Sequence, residues 1–538
     1  MKKIIFLALI LLAAAVYAEN LLPSFDQWRH TGPGSFKWNG GQLAAEHKGG
    51  SSNEAALVRN ISIDGEGYYV MKGKVRRVDE KSVPAIYFIS RTEKKGWIFQ
   101  YNAYDALNAK VGEWTDFAIR AYMPNIAKIL EVGVGCKNGK VEVKDLVLEK
   151  TDAKNRADNA PSAEYWINMD FGDEVVYSKN IGIDLYGEKA IEQFFKKCKA
   201  AKVTGVLWRV SEFGQMLYYS KGAATVYPGK MNYDDLNESR KKMAIIMQFI
   251  DPLAVAVREA KKNGIKLFIW MTLSDEGYKN NIPNYAFPEF LLKNPDCHML
   301  DKEGKPWYGT ICYSEPKARE YRLNIVKELV EYGADGLYLC TRSHCFTFGN
   351  DKDERYGYNK AIVDEYQKRY GVNILKEDFD KKKWYELRAE GIDILIEEIS
   401  KIVKAKNQEI MLGVSSTSLS NGRWENNWGD KVPLHWQKYL QNGWIDHILA
   451  GQYKVGNYWI GRETNRFKSA ALPHNKLYFW AQMLEYGKGV FSLDQLKNQA
   501  EAIVFHGANG GMYHEAINME EQVETVMKPL GNWYSEQK

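Results

Sequence analysis

Acidic side chains recur where apolar runs stop. The run "YWINMDFGDE" ends on Asp170 and Asp173, and "GVLWRVSE" passes through Trp208 and Arg209 to Glu212. "KLFIWMTLSDEG" carries Trp270 and ends on Asp275 and Glu276, "KLYFWAQMLEY" ends on Glu485, and "GGMYHEA" on Glu515. Three further runs end on other polar or aromatic groups: "GLYLCTRSH" on Arg342 and His344, "EIMLGVSS" on Ser415 and Ser416, and "HILAGQY" on Gln452 and Tyr453. Two or more carboxylates in one hollow are what cleavage of a glycosidic bond requires. One carboxyl protonates the leaving oxygen while a second, ionised, attacks the sugar or activates water. Burial and neighbouring charge set the two proton affinities apart. On that reading Glu485, Asp275, Glu276 and Glu515 are the candidate catalytic groups. Asp170, Arg209, Glu212, Arg342, His344 and Gln452 would bind substrate, with a uronate or sulfate ester suited to the cations. Arg342 is a ligand rather than an acid, because guanidinium holds its proton at working pH. Trp208, Trp270 and Tyr453 would stack on sugar faces, or else pack the interior. A DEG triplet at a strand end also makes a good turn or helix cap, the bland alternative for Asp275 and Glu276.

Stepping along the chain, eight short apolar runs alternate with amphipathic segments from about Tyr165 onward. Strands are expected at Tyr165–Phe171, Gly205–Val210, Lys266–Leu273, Gly336–Cys340, Ile410–Ser415, His447–Ala450, Leu477–Met483 and Gly511–His514. Helices are expected at Glu188–Ala200, Pro252–Lys262, Lys317–Tyr332, Trp384–Lys404 and Leu493–Phe505, with Gly264 and Gly333 as stop signals before the next strand. Eight strands separated by helices predict an α/β fold, a (β/α)8 TIM barrel, whose active site lies at the C-terminal ends of the strands. A doubly wound sheet would need a glycine-rich phosphate loop after its first strand, and carboxylates stand there instead.

Residues from Asn20 to about Ala153 follow a different pattern. Runs such as "GYYVMKGKV", "AIYFISRT", "WTDFAIRAY" and "KVEVKDLVLE" alternate apolar with polar residues between Gly-containing turns, which predicts an all-β sandwich. The closing "GKVEVKDLVLEK" resembles the last strand of jelly-roll carbohydrate-binding modules. Trp28, Trp38, Trp97, Tyr101 and Trp114 are either sugar platforms or core. The expected organisation is a signal peptide at 1–18, a carbohydrate-binding-like jelly-roll sandwich at 19–153, a polar linker at 154–162 and a catalytic barrel at 163–538.

The chain has 538 residues, 45% hydrophobic and 26% charged, which excludes disordered and low-complexity classes. A net charge of +5 is too nearly balanced for a nucleic-acid binder working through a broad basic field. Aromatics reach 13%, with 16 Trp and 33 Tyr, a content suited to flat amphipathic ligands. Lys2 and Lys3 precede an apolar run from Ile4 to Val16 and a small residue at Ala18, the pattern of an export signal, so a secreted or periplasmic protein is expected. Thirteen apolar residues are too few for a membrane span. Six scattered cysteines form no disulfide framework, although a Cys297–Cys312 bridge is one candidate pairing. Zinc-type spacing and HExxH are absent from the sequence, so no metal or other cofactor is expected.

Three segments carry a family resemblance: the "NPDCHMLDKEGKPW" stretch, "YGADGLYLCTRSH", and "GYNKAIVDEYQKRYG". Together with "GANGGMYHEA" they resemble secreted bacterial TIM-barrel proteins described as family-10-like glycosyl hydrolases, over residues about 163 to 520. The resemblance implies hydrolysis of a polysaccharide. The large clan of (β/α)8 glycosidases places an acid at strand four and a nucleophile at strand seven. Glu485 fits the second place. Strand four ends "LCTRSHC", with no carboxylate before Asp351, Asp353 and Glu354. Three alternatives remain: that loop folds back, the acid comes from strand three, or the rim binds a glycan without cleaving it. An esterase or sulfatase is disfavoured, since neither GxSxG nor a Cys/Ser-x-Pro-x-Arg sequence occurs.

Overall fold

The computed structural model describes residues 20–22, 27–39, 41–47, 54–63, 66–103, 106, 109–151, 162–170, 187–212, 214–229, 233–236, 238–273, 276–277, 288–341, 352–414, 432–451, 457–485, 489–514 and 522–537. The expected export signal and most of the expected linker lie outside these residues. Two compact units emerge. One comprises Met1–Asn159 with Gly456–Ser469 and Phe505–Gly507, the other Ala160–Val455, Ala470–Val504 and Ala508–Lys538. No described helix is long and apolar enough to cross a membrane.

The first unit is built on two five-stranded antiparallel sheets. Strands β1 (Arg29–Thr31), β4 (Ala55–Ser62), β9 (Ile129–Asn138), β6 (Val83–Arg91) and β7 (Trp97–Asn102) lie side by side in that order. The second sheet is β2 (Gly34–Asn39), β3 (Gln42–His47), β10 (Lys140–Thr151), β5 (Gly67–Arg77) and β8 (Thr115–Met123). Period-two alternation decides what is buried. In β8 the side chains of Phe117, Ile119, Ala121 and Met123 enter the core while the residues between them face out. Trp28 and Tyr101 belong to this core, so neither is a sugar platform. Trp38 and Trp97 are exposed, and Trp114 is half-buried with Arg76 and Lys144 at 4.8 and 4.5 Å from its ring.

The second unit is a closed barrel of eight parallel strands: Glu164–Met169, Gly205–Arg209, Lys266–Thr272, Gly336–Cys340, Glu409–Val414, His447–Ala450, Lys476–Gln482 and Gly510–His514. These agree with the eight expected runs to within a residue or two at each end. Bulky side chains fill the interior: Trp166, Phe268, Trp270, Tyr338, Tyr478 and Trp480, with Leu207, Cys340, Met411, Leu449 and Met512. Large rings fit a barrel only where facing positions are empty. Gly205 lies beside Trp166, where an added Cβ would stand 2.4 Å from the indole, and Gly413 gives the same room to Tyr338.

Polar residues fix the register just ahead of the strands. Thr204 accepts from the backbone N–H of Tyr165 at 2.9 Å, Asp335 from Leu267 at 2.8 Å, Asp446 from Ile410 at 2.8 Å and Asn509 from Leu477 at 2.9 Å. At the N-terminal mouth the interior layer is charged. Glu164 pairs with Lys476 at 2.7 Å and accepts from the Trp166 indole and the Tyr478 hydroxyl. Glu409 meets His447 at 3.1 Å.

Two of the motifs that carry the family resemblance are tied to each other, while the other two contain barrel strands Gly336–Cys340 and Gly510–His514. Asn359 of the GYN segment donates to the carbonyls of Asp296 and His298 and accepts from Leu300 N–H, joining itself to the "NPDCHML" stretch. The Trp384 indole donates to Gly357 O at 3.0 Å, and Trp307 stacks near Tyr356 at 4.7 Å. The Cys297–Cys312 pairing is overturned. Their backbones are hydrogen-bonded at 2.8 Å, yet both thiols are free, and burial pushes them up to about 12 and about 11.

Two outcomes follow from this packing. Gly205→Ala should cost about 1–3 kcal/mol in urea unfolding, because the rigid indole cannot retreat inside a closed barrel. The hydrogen bond from His447, aided by the charges of Lys266 and Lys476, holds Glu409 down to about 2 although burial opposes it. A carboxyl depressed in the folded state stabilises above its unfolded pKa of roughly 4.3, and the contribution disappears as pH falls through 2. Acid titration followed by circular dichroism should therefore show a shallower loss of stability between those values in Glu409→Gln than in wild type.

Candidate active site

Strand polarity places the working groups. Side chains alternate in and out along each barrel strand, so the last inward residue of a strand stands at the C-terminal rim. In the first strand Trp166 is inward, Asn168 is next, and Asp170 follows at the end. In the second strand Leu207 is inward and Arg209 closes the strand. Asp170 and Arg209 meet there. A carboxylate oxygen of Asp170 lies 2.6 Å from the Arg209 guanidinium, with only 6% and 4% of the side chains exposed. The guanidinium stands 5.5 Å from the centre of the Trp270 ring.

Below this pair lies an aromatic floor. Trp270 and Trp480 meet edge to face at 5.8 Å, Tyr338 packs on Trp270 at the same distance, and the His514 ring lies 4.7 Å from Trp480. Ser211 and Thr272 share a hydrogen bond of 3.1 Å between the ends of strands two and three. Thr341 donates to Gly413 O at 2.7 Å at the end of strand four. Asp170, Arg209, Trp270 and Trp480 come from four separate strands and converge on one rim, with His514 from a fifth.

Glu485 enters this rim through its backbone. It lies in a two-residue strand, Leu484–Glu485, paired antiparallel with Gly489–Val490. The adjoining Met483 N–H donates to His514 O at 2.7 Å, so the chain leaving strand seven is tied to the end of strand eight. Glu212 likewise sits in a short hairpin, opposite Gln215. Asp275, Glu515, Arg342, His344, Gln452 and Tyr453 lie outside the described residues.

Two candidates need correction. Glu276 is fully buried and forms an ion pair with the guanidinium of Arg322, on the helix Pro316–Val330. The Arg322 Nε donates to the Tyr313 hydroxyl at 2.9 Å, and that hydroxyl donates to Leu273 O. The Glu276 backbone N–H is bonded to Gly309 O at 3.0 Å, and Gly214 presses against the carboxylate where a Cβ would come within 2.9 Å. Glu276 thus anchors the exit of strand three and is not available for acid–base work. Trp208 faces out of the barrel onto the helix Glu188–Ala200, with Phe194 and Phe195 each at 6.1 Å. Its indole fills the layer between strand and helix and is no sugar platform. Asn168, Trp480 and the Ser211–Thr272 pair escaped the sequence reading. The one signal was a single amide inside the otherwise apolar run "YWINM".

The glycosyl hydrolase-like 10 model matches residues 174–476, more than half of the chain. The chain belongs to the glycosyl hydrolase-like 10 family. No curated protein matches it. Among solved structures, the glycoside hydrolase domain of PgaB (BpsB) from Bordetella bronchiseptica is 11% identical, covering 69% of this chain and 98% of that one, with a TM-score of 0.45. The catalytic domain of β-amylase from Paenibacillus polymyxa is 10% identical, covering 70% and 99%, with a TM-score of 0.47. A Clostridium thermocellum xylanase, Xyn10B, with its CBM22-1 and GH10 modules, is 12% identical, covering 93% and 90%, with a TM-score of 0.30.

Within this glycosyl hydrolase-like 10 barrel, Glu276→Gln should be a stability variant. Removing one charge of a buried pair leaves Arg322 uncompensated, a cost of about 3–5 kcal/mol. Urea unfolding measures that loss. Any glycan affinity of the folded fraction should stay within about twofold of wild type.

Proposed function

We propose that this member of the family is an exported glycoside hydrolase that cleaves O-glycosidic bonds of a polysaccharide or oligosaccharide at the C-terminal rim of the barrel. The observation that carries this reading is the convergence of Asp170 and Arg209 over a floor of Trp270, Tyr338 and Trp480, beside the strand that leads to Glu485. A carboxylate–guanidinium pair offers acceptors and donors to sugar hydroxyls, while Trp270, Tyr338 and Trp480, buried in the barrel interior, support that pair from beneath.

In this scheme Glu485 is the nucleophile or general base, and Asp275 or Glu515 supplies the acid, now that Glu276 is committed to Arg322. The acid protonates the leaving oxygen as the C–O bond breaks. Glu485 either bonds to the anomeric carbon, and water later displaces it, or draws a proton from water that attacks directly. The first route needs carboxyl groups about 5–5.5 Å apart and the second about 6.5–9.5 Å. Asp170 and Arg209 hold the sugar, with Arg342, His344, Gln452 and Tyr453 as further substrate ligands. An acidic or sulfated glycan would suit the rim cations. The apolar run Ile4–Val16 supports export, and the sandwich would serve as a glycan-binding module through exposed Trp38 and Trp97.

One observation favours a second reading, a glycan-binding protein without turnover. Strand four ends at Cys340 and is followed by Thr341, with no carboxylate there, and one of the two strand-three candidates is locked in an ion pair. Incubation with xylohexaose, mannohexaose, maltohexaose and N-acetylchitohexaose, followed by chromatography of the products, decides between them. Cleavage of at least one, lowered about 100- to 10,000-fold by Glu485→Gln with affinity retained, is expected of the hydrolase. Binding without cleavage by wild type supports the second reading.

A further inference from the structure

We propose that the outer wall of the barrel carries a second glycan site, a hollow beside Tyr219 that takes a segment of a neutral oligosaccharide away from the catalytic rim. This inference rests on the glycan-handling reading above and adds a site to it. The hollow has a volume of about 430 Å³. It lies where the segment after the Ser211–Met216 hairpin passes the start of helix Pro252–Asn263 and the end of helix Pro316–Val330. Tyr219 and Tyr332 give it aromatic walls, and the exposed Lys221 and Lys327 also line it.

Tyr219 is 41% exposed. A single exposed ring on a loose loop is ordinary, but here the chain beneath it is fixed. Glu328 accepts from the Tyr218 hydroxyl at 3.1 Å, the Ser220 hydroxyl at 2.6 Å, and the backbone N–H groups of Lys221 and Ala223 at 2.9 and 3.1 Å. Asp251 accepts from the Tyr219 N–H at 3.2 Å and the Tyr332 hydroxyl at 2.6 Å while capping its own helix. Two carboxylates thus hold both aromatic walls in place before any ligand arrives, which lowers the ordering cost of binding.

Charge then selects the ligand. The lining carries Lys221 and Lys327 against Asp251, Glu328 and Glu331, and Glu331 is answered by Lys406 at 2.8 Å. A balanced set attracts neither an anion nor a cation over distance. It suits a neutral molecule with an apolar face for the phenol ring and hydroxyls for the charged groups, which describes a sugar. A chain of sugars fits further. A second hollow, of about 550 Å³, begins at the next residue, Gly222, and is lined by Tyr321, two helical turns before Glu328.

Native electrophoresis of the full chain through gels containing soluble xylan, galactomannan, starch or glycol chitin tests the site. At least one polymer should retard the wild type, and Tyr219→Ala should weaken that apparent affinity about three- to tenfold. Tyr219→Trp, which keeps a flat ring, should stay within about twofold of wild type. Equal retardation of Tyr219→Ala and wild type overturns the second site and leaves the rim untouched. A loss in Tyr219→Trp as large as in Tyr219→Ala overturns it too, because the loop and not the ring would then be responsible. A wild type retarded by none of the four polymers also overturns it, while the hexaose digests judge the rim independently.

Discussion

Closing eight parallel strands around large rings is the constraint on which the rest of the second unit depends. A barrel of this size has room for side chains in layers and for little else. Trp166, Phe268, Tyr338 and Tyr478 occupy that room, and Gly205 and Gly413 exist so that Trp166 and Tyr338 fit. With the middle filled by rings, polar side chains on the inward face are confined to the two ends. At one end they neutralise each other. At the other, Asp170 and Arg209 meet over Trp270 and Trp480.

Most of the architecture was legible in the sequence, for a physical reason. A strand buried on both faces reads as an unbroken apolar run, and a helix between such strands as a 3.6-residue pattern. Lys476–Gln482 and Gly336–Cys340 therefore stood out. The same property hid which way each residue points. Trp208 and Arg209 are adjacent in a run with no polar alternation, so nothing local told that the indole faces a helix while the guanidinium faces the rim. Trp480 was lost for the same reason, and Asn168 was passed over because one amide in an apolar run looks like noise.

The fate of a carboxylate was not legible at all. Glu276 stands beside Asp275 in a triplet that invites a catalytic reading, yet its partner Arg322 lies 46 residues further along the chain. Only folding brings them together. Two of the most distinctive motifs do structural work. Asn359, Asp296, His298 and Trp307 make the family recognisable, but their hydrogen bonds and ring contacts go to one another. In these two segments what identifies the lineage is scaffolding. The candidate groups for chemistry are sparse residues at strand ends, which share no spacing.

The ionic layer formed by Glu164, Lys476, Glu409 and His447 has a further implication. It stoppers the lower opening of the barrel with groups whose charges are already answered, so a ligand gains nothing by approaching from beneath. Traffic is thereby restricted to one doorway. An affinity tag, a surface tether or a partner domain attached near the bases of the strands would leave that doorway clear, whereas the same attachment near the strand tips would obstruct it.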